Sequence, residues 1–450
     1  MERKYHLTEG NILATLTGFA IPVFFTLFLQ ALYGGIDLLI VGKFADTEDV
    51  SGVATGSMLL STVTMIITGL AMGITVLVGE KIGMKKPDEA GKAIGAGISL
   101  FFVFAVILTF AMTAGSDFLA KILNAPEEAV SQTSSYIFIC GAGSAFIVAY
   151  NILGAIFRGI GDSKTPLMTV AIACTVNIAG DMVLVAVFDM GTIGAAIATV
   201  FAQAVSVFIS FVVIVKRGNM PFFFSKEFIK FDKKIIGTEL KLGIPVALQE
   251  LLVGISFLVI QTIVNSFGVT ASAGVGVAEK VCAFIMLVPS SYMQSMSAFV
   301  AQNMGARNPV RAKKALKYGI MTAFAAGLIM SYIAFFHGDM LSWIFSKDIQ
   351  VIAASQSYLK AYAIDCLLTP FLFCFTGYYN GCEKTLFVML QGLVGAFFVR
   401  IPAAYFISRI SETTLFHIGL ATPASSILQI TLCIFMFAYT EKKSRSEKAL

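Results

Sequence analysis

Two stretches of this sequence are related copies of each other: VGEKIGMKKPDEAGKAIGAG (residues 78–97) and VAQNMGARNPVRAKKALKYG (residues 300–319). Outside this pair, AIPV (20–23) matches GIPV (243–246), and SGVATG (51–56) falls on AGVGVA (273–278). A near-constant offset of about 222 residues across most of each half is the signature of an internal duplication. The identical pairs include Gly83 with Gly305, Pro87 with Pro309, Ala90 with Ala312, Lys92 with Lys314 and Gly97 with Gly319.

The composition places both copies in a membrane. Of 450 residues, 57% are hydrophobic and only 13% are charged, and the mean hydropathy is +0.84. Soluble domains carry about twice that share of charged residues. The sequence therefore predicts an integral membrane protein.

A membrane-spanning helix needs about 20 mostly apolar residues, and the sequence offers twelve such segments. β-barrel strands would be about 10 residues long with alternating polarity, which this chain lacks. The predicted spans are residues 15–41, 52–78, 93–115, 136–157, 166–188, 193–215, 243–267, 278–300, 316–336, 358–379, 386–407 and 416–438.

The predicted fold is an all-α polytopic membrane protein with two six-helix lobes. Six is an even number, so both copies begin on the same side, and a pseudo-twofold axis along the membrane normal relates them. The predicted domains are an N-lobe (1–215), a cytoplasmic linker (216–241) and a C-lobe with a cytoplasmic tail (242–450).

Lysine and arginine residues set the orientation, because cytoplasmic loops are enriched in them. One predicted face carries Arg3, Lys4, the basic stretch 216–241 and tail residues from Lys442 to Lys448. We therefore expect both termini to be cytoplasmic, in a multi-pass protein of the cell (inner or plasma) membrane whose first helix is retained. The excess of lysine and arginine in these loops accounts for the formal charge of +5. The charge therefore does not require a nucleic-acid partner.

Two parallel lobes around a cleft are a transporter architecture. A membrane enzyme or sensor would need catalytic side chains, metal ligands or a soluble domain, and we expect none. The seven cysteines and three histidines show no ligand spacing. The sequence therefore indicates a transporter without a cofactor other than a coupling ion.

Ionisable residues inside spans are costly and are functional candidates. In the N-terminal half these are Asp37 and Asp181, with Asn177 one helical turn from Asp181. The duplicated half has apolar residues opposite them: Ile260, Val399 and Ala403.

Counting residues along the predicted helices places a fourth polar side chain, that of Thr199, at a similar depth. At about 1.5 Å per residue, Asp37, Asp181 and Thr199 lie roughly 6–11 Å below the outer surface, with Asn177 one turn deeper. Carboxylate, amide and hydroxyl oxygens suit a small cation or a shared proton. The alternative is that Asp181 is hydrogen-bonded to Asn177 or Thr199 and serves packing.

Three charged residues stand apart in the C-terminal half: Glu250, Asp365 and Arg400. Asp365 and Arg400 come to equal depth, where they either form an internal ion pair or contact substrate. Glu250 is either a second coupling or drug-contacting carboxylate or a neutral structural residue. Pro22 lies about four turns from Asp37 on nearly the same face, so it either bends the first helix or serves packing.

Six segments in order resemble the multidrug and toxic compound extrusion (MATE) transporters of the MOP superfamily, over essentially the whole chain. They are IPVFFTLFLQALYGGIDLLIVGKF, LVGEKIGMKKPDEAGKA, FRGIGDSKTPL, VNIAGDMVL, KLGIPVALQELL and AFVAQNMGARNPVRAKKA.

This resemblance implies a cation-coupled exporter driven by Na⁺ or H⁺, whose N-lobe site falls on Asp37, Asn177, Asp181 and Thr199. Pro22 matches the family's bending proline. The NorM-like branch also has a C-lobe site, but Glu250 comes earlier than that pattern, which favours a DinF-like N-lobe site.

The resemblance implies efflux of toxic amphipathic organic cations or zwitterions by antiport with alternating access, and we expect a monomer. Na⁺, if it is the coupling ion, is expected at Asp37, Asn177 and Asp181, with no other metal. The rival is a flippase or exporter of a lipid-linked or metabolite substrate in the same superfamily.

Overall fold

The computed structural model describes residues 7–217, 220–410 and 412–446. Three basic residues used above to predict orientation, Arg3, Lys4 and Lys448, lie outside this range.

Within that range the structure is helical and shows no strand. Two π-helical segments, Met182–Val187 and Val394–Arg400, continue α7 and α15. The α-helices are α1 (Ile12–Phe44), α2 (Thr47–Gly83), α3 (Pro87–Ala114), α4 (Ser116–Ile122), α5 (Val130–Ala142), α6 (Ser144–Gly159), α7 (Lys164–Asp181), α8 (Gly191–Lys216), α9 (Lys233–Asn265), α10 (Val269–Ile285), α11 (Leu287–Gly305), α12 (Pro309–Phe336), α13 (Gly338–Trp343), α14 (Ile349–Gly381), α15 (Thr385–Leu393), α16 (Ile401–Ser408), α17 (Leu415–Gly419) and α18 (Ala421–Ser446).

The number of spans agrees with a polytopic membrane protein. In the described part of the chain, eleven helices are long and apolar enough to cross a bilayer, and a bent pair, Glu127–Ala142 with Ser144–Gly159, makes a twelfth. This confirms the predicted fold class of a helical multi-pass protein.

The fourth span is not the continuous helix predicted over 136–157. It bends by 58° between α5 and α6. At the break, a Cβ on Gly143 would lie 2.4 Å from Cγ1 of Val200 on α8. Glycine therefore lets the bent span approach α8 at the residue that follows Thr199.

Several helices extend well beyond the predicted spans. Helix α2 has 37 residues, whereas about 20 cross the hydrocarbon core. Helix α9 begins at Lys233, inside the predicted linker, because its polar first turns lower the hydropathy without interrupting the helix. The connection from α8 to α9 is therefore shorter than the predicted 216–241.

The contacts divide the chain into two compact units. Unit 1 comprises Gly18–Ala247, Ala301–Asn308 and the residues before Gly10. Unit 2 comprises Gly10–Thr17, Leu248–Val300 and the chain from Pro309 onward. Each unit has its own apolar core: Val53, Ile74 and Ile147 are completely buried in unit 1, and Ile260 and Leu359 in unit 2.

Candidate functional site

The four N-lobe side chains singled out in the sequence come together inside unit 1. Asp37 on α1 is 4% exposed, Asn177 and Asp181 on α7 are completely buried, and Thr199 on α8 is 5% exposed. The side chains of Asp181 and Asn177 are the polar neighbours of Asp37. Asn177 Nδ2 donates to Thr199 Oγ1 over 3.5 Å. We call this group the α1–α7–α8 cluster.

Most acceptor oxygens of the cluster lack a donor. Within the described residues, no hydrogen bond reaches Asp37 Oδ1, Asn177 Oδ1 or either carboxylate oxygen of Asp181. Buried polar atoms are nearly always partnered, so an exception needs an explanation. Oxygens without donors on three neighbouring buried side chains are suited to a bound cation or to protons.

The local backbone around Asp181 is unusual. Asp181 ends α7, and the π-helical turn Met182–Val187 follows it directly. In the other half, the second π-helical segment ends on the buried Arg400. Short π-helical turns are often associated with functional sites. Each π-helical segment here borders a charged residue that lies inside a span.

Thr199 is positioned by the start of α8. Gly191 has a left-handed φ of +47°, and its α-carbon lies against the Asp49 carboxylate of α2. Asp49 Oδ1 accepts hydrogen bonds from the Thr192 amide (2.9 Å) and the Thr192 hydroxyl (2.7 Å). An acidic side chain at a helix N-terminus satisfies free amides. Asp49 therefore fixes α8, and with it Thr199, two turns further on.

The cluster limits the ligand by its chemistry. Two neighbouring buried carboxylates resist simultaneous ionisation unless a cation or proton neutralises them. Carboxylate, amide and hydroxyl oxygens are ligands for hard cations. The cluster offers oxygen atoms only, which fit an alkali cation or a proton better than a transition metal, and the part of the chain described has no group of three or more His, Cys, Asp or Glu side chains that could hold a metal ion.

Pro22 lies inside α1 and is buried. A proline has no amide proton, so the carbonyl of Gly18 loses its usual helical partner. The Thr26 hydroxyl donates to the Pro22 carbonyl over 2.8 Å. Gly18 is also where α1 passes into unit 1.

The C-terminal candidates do not form the direct ion pair considered from the sequence. Asp365 and Arg400 are 2% and 5% exposed, but no close ion pair joins them in the described ranges. Arg400 Nη1 instead donates to Ser256 Oγ over 3.0 Å, and its guanidinium lies 4.5 Å from the ring centroid of Phe257. Attraction between Asp365 and Arg400 acts at longer range. Glu250 lies in α9 and is partly exposed.

Two further carboxyl groups were not predicted as candidates from the sequence. Glu239 is 1% exposed, and neither of its carboxylate oxygens has a hydrogen-bond partner among the described residues. Glu279 is half-buried, and its Oε1 atom is buried without a partner in the same part of the chain. Glu239 was assigned to the linker because the hydropathy window opened at residue 243. The small residues Gly243 and Ala247, four positions apart, were the signal in the sequence of a helix packed closely in this region.

Helices that span a membrane in two related halves, with an acidic oxygen cluster buried in one half, define a membrane transporter. The class requires no catalytic side chains, only a site that binds and releases its ligands.

Comparison with known proteins identifies the family. The MatE family model matches residues 22–183 and, a second time, residues 245–406. The chain belongs to the MatE family of multidrug efflux transporters, and the double match confirms the duplication.

Similar proteins cover nearly the whole chain. The probable multidrug resistance protein YoeA of Bacillus subtilis is 22% identical over 445 residues, which is 97% of this chain and 96% of YoeA. The probable multidrug resistance protein YpnP of the same organism is 26% identical over 407 residues, with 89% of each chain covered. A crystal structure of MATE in complex with MaL6 has a TM-score of 0.91 at 18% identity and covers 100% of both chains; this likeness shows the fold.

Proposed function

We propose that this protein is a cation-coupled antiporter that exports amphipathic organic cations or zwitterions. The coupling ion, Na⁺ or H⁺, binds at the α1–α7–α8 cluster. Substrate and coupling ion occupy the transporter in turn. Binding of the ion on one side of the membrane favours release of the substrate on that side.

The observation that carries this proposal is the set of unpartnered oxygens on Asp37, Asn177 and Asp181. Burying two carboxylates without a cation or a basic partner is costly, and stability alone does not explain their presence. A ligand that neutralises them selects one conformation over another, as a coupling ion must.

The same arrangement supports coupling through unit 1 alone. In unit 2, Arg400 supplies a permanent positive charge near Asp365, which opposes cation binding there. We therefore infer a DinF-like coupling site on α1, α7 and α8. The proposed transporter works as a monomer in the cell membrane with both termini in the cytoplasm.

Purified full-length protein in liposomes tests the proposal. Efflux of a fluorescent organic cation is measured with a Na⁺ gradient and a pH gradient imposed separately. One gradient should drive efflux, and Asp181→Asn should reduce the driven component by at least about tenfold because the site loses a charge.

Asp189→Asn is the matched control. Asp189 follows Asp181 by two turns but is exposed, with a left-handed φ of +55° that asparagine accepts. It should transport like the wild type. Undiminished gradient-driven efflux in Asp181→Asn would refute the coupling site. If neither gradient drives efflux in the wild type while a lipid-linked saccharide crosses the bilayer, the protein is a flippase and the antiport proposal is wrong.

A further inference from the structure

The first turns of α9 are in backbone contact with α2 inside unit 1. A Cβ on Gly73 would lie 2.2 Å from the carbonyl oxygen of Glu239, and one on Gly69 would lie 2.6 Å from Cα of Ala247. In return, a Cβ on Gly243 would lie 2.3 Å from the carbonyl oxygen of Leu70. Small residues four apart on both helices permit this approach.

The carboxyl group of Glu239 lies next to Gly97 of α3 and near Ile74 of α2. A Cβ on Gly97 would lie 3.3 Å from Glu239 Oε1 and 2.6 Å from the Cδ1 atom of Ile74. Its neighbours on this side are thus a glycine and an apolar side chain. It is 1% exposed, and neither oxygen has a hydrogen-bond partner within the described ranges.

In the part of the chain that the structure describes, lysines of α2 and α3 contact groups other than Glu239. On α2, Lys81 contacts Glu80 (3.2 Å) and reaches Glu89 of α3 (3.6 Å). On α3, the Lys92 ammonium lies 5.9 Å from the ring centroid of Phe228.

The segments around Glu239 carry further charged side chains. The exposed charged side chains near it in the chain are Lys226, Glu227, Lys230, Lys233, Lys234 and Lys241.

We propose that Glu239 is a proton-binding site of unit 1, occupied by a proton when α9 is packed on the glycine face of α2. A carboxylate ion held here would be buried with neither counter-ion nor donor, and the neutral acid avoids most of that penalty. A single carboxylate also offers too few oxygens to replace the hydration shell of a metal ion. The ligand is therefore a proton.

This site is distinct from the α1–α7–α8 cluster. Asp37 lies seven residues before the end of α1, whereas Gly73 lies far along α2, which returns across the unit. At about 1.5 Å per residue the two sites are roughly 30 Å apart along the helices.

Loss of the proton leaves an anion pressed against α3, so the first turns of α9 should separate from α2 and admit water. The packed arrangement is favoured at low pH and weakens as the pH rises at that face. This inference does not depend on the coupling role of Asp181.

Two measurements on the full chain test it. Infrared spectra of the detergent-solubilised protein should contain a carboxylic-acid carbonyl band that disappears in Glu239→Gln and persists in the control Glu227→Gln, whose side chain is exposed. Hydrogen exchange in residues 233–247, corrected for intrinsic rates, should rise at least about threefold with pH in the wild type and stay constant in Glu239→Gln.

An unchanged carboxylic-acid band in a folded Glu239→Gln protein overturns the proposal, as does the same pH dependence in both proteins. If the variant does not fold, the wild type still decides: exchange in residues 233–247 that does not change with pH overturns it.

Discussion

Gly83 and Gly305, paired by the duplication, each lie against the other's helix. A Cβ on Gly83 would lie 1.9 Å from the carbonyl oxygen of Gln302, and one on Gly305 would lie 2.1 Å from that of Glu80. The contacted carbonyls are both three residues before the partner glycine, so the contact is reciprocal. The ends of α2 and α11 thus meet as equivalent parts of two copies, inside unit 1.

Gly83→Ala should destabilise the protein. The methyl group would meet a backbone carbonyl that has no rotamer to move into, and overpacking of this kind costs about 1–3 kcal/mol. The fraction of monodisperse protein after stepwise heating in detergent measures the effect. Gly35→Ala is the control, because Gly35 lies in α1 with open space around it, and alanine favours a helix by about 1 kcal/mol. Equal melting of the two variants would contradict the close contact.

Thr199→Ala should weaken ion coupling without abolishing it. The change removes one hydroxyl that accepts a long hydrogen bond from Asn177, which is worth about 1 kcal/mol or less. We expect a rise of up to about fivefold in the Na⁺ or H⁺ concentration that half-saturates efflux. Thr175→Ala, on the exposed side of α7, should leave this concentration unchanged. Complete loss of driven efflux in Thr199→Ala would give the hydroxyl a larger role than this geometry allows.

Asp49→Ala should loosen the start of α8. Two hydrogen bonds to Thr192 disappear, and losing an N-terminal cap typically costs about 1 kcal/mol. Both the melting temperature and the affinity for the coupling ion should fall, because α8 carries Thr199. Glu48→Ala removes the neighbouring exposed carboxylate and should have little effect. If only Glu48→Ala lowers the melting temperature, Asp49 does not hold α8.

Asp162→Ala should be among the most damaging changes outside the cluster. Asp162 is 5% exposed and accepts from Arg217 Nη1 (2.7 Å), the Thr165 amide (3.0 Å) and the Thr165 hydroxyl (2.5 Å). Breaking a buried ion pair from one side costs about 3–5 kcal/mol.

A double-mutant cycle separates the ion pair from the capping bonds of Asp162. Melting temperatures are compared for Asp162→Ala, Arg217→Gln and the double variant, and the two losses should be clearly less than additive. Fully additive losses would mean that the two side chains act independently.

The sequence predicted the membrane fold well because hydropathy and duplication are properties of whole segments. The helix break at Gly143 was not predictable from hydropathy, since both sides of the glycine are equally apolar. The first turns of α9 were not predicted for a different reason: Lys233 and Lys234 are polar, so hydropathy does not detect them, although the helix is continuous from Lys233 onward.

The candidate site was also partly predictable. Counting residues brought Asp37, Asn177, Asp181 and Thr199 to similar depth, and the structure places them together. Depth alone does not give direction, however: Ser256 and Phe257 are neighbours of Arg400 in the structure, and counting residues did not identify them. The burial of Glu239 could not be predicted in the same way, because it depends on which helices are in contact, and the sequence of one helix does not contain that information.

The bend between α5 and α6 affects how the membrane crossings of the described residues are counted. The straight helices alone give eleven crossings, an odd number, for which a chain begins and ends on opposite sides of a bilayer. Counting the bent pair as one crossing gives twelve, the even number on which the expectation of two six-helix copies depends. The way the bend at Gly143 is counted, where Val200 occupies the space of a side chain, therefore decides the predicted side of the membrane for every loop that follows it.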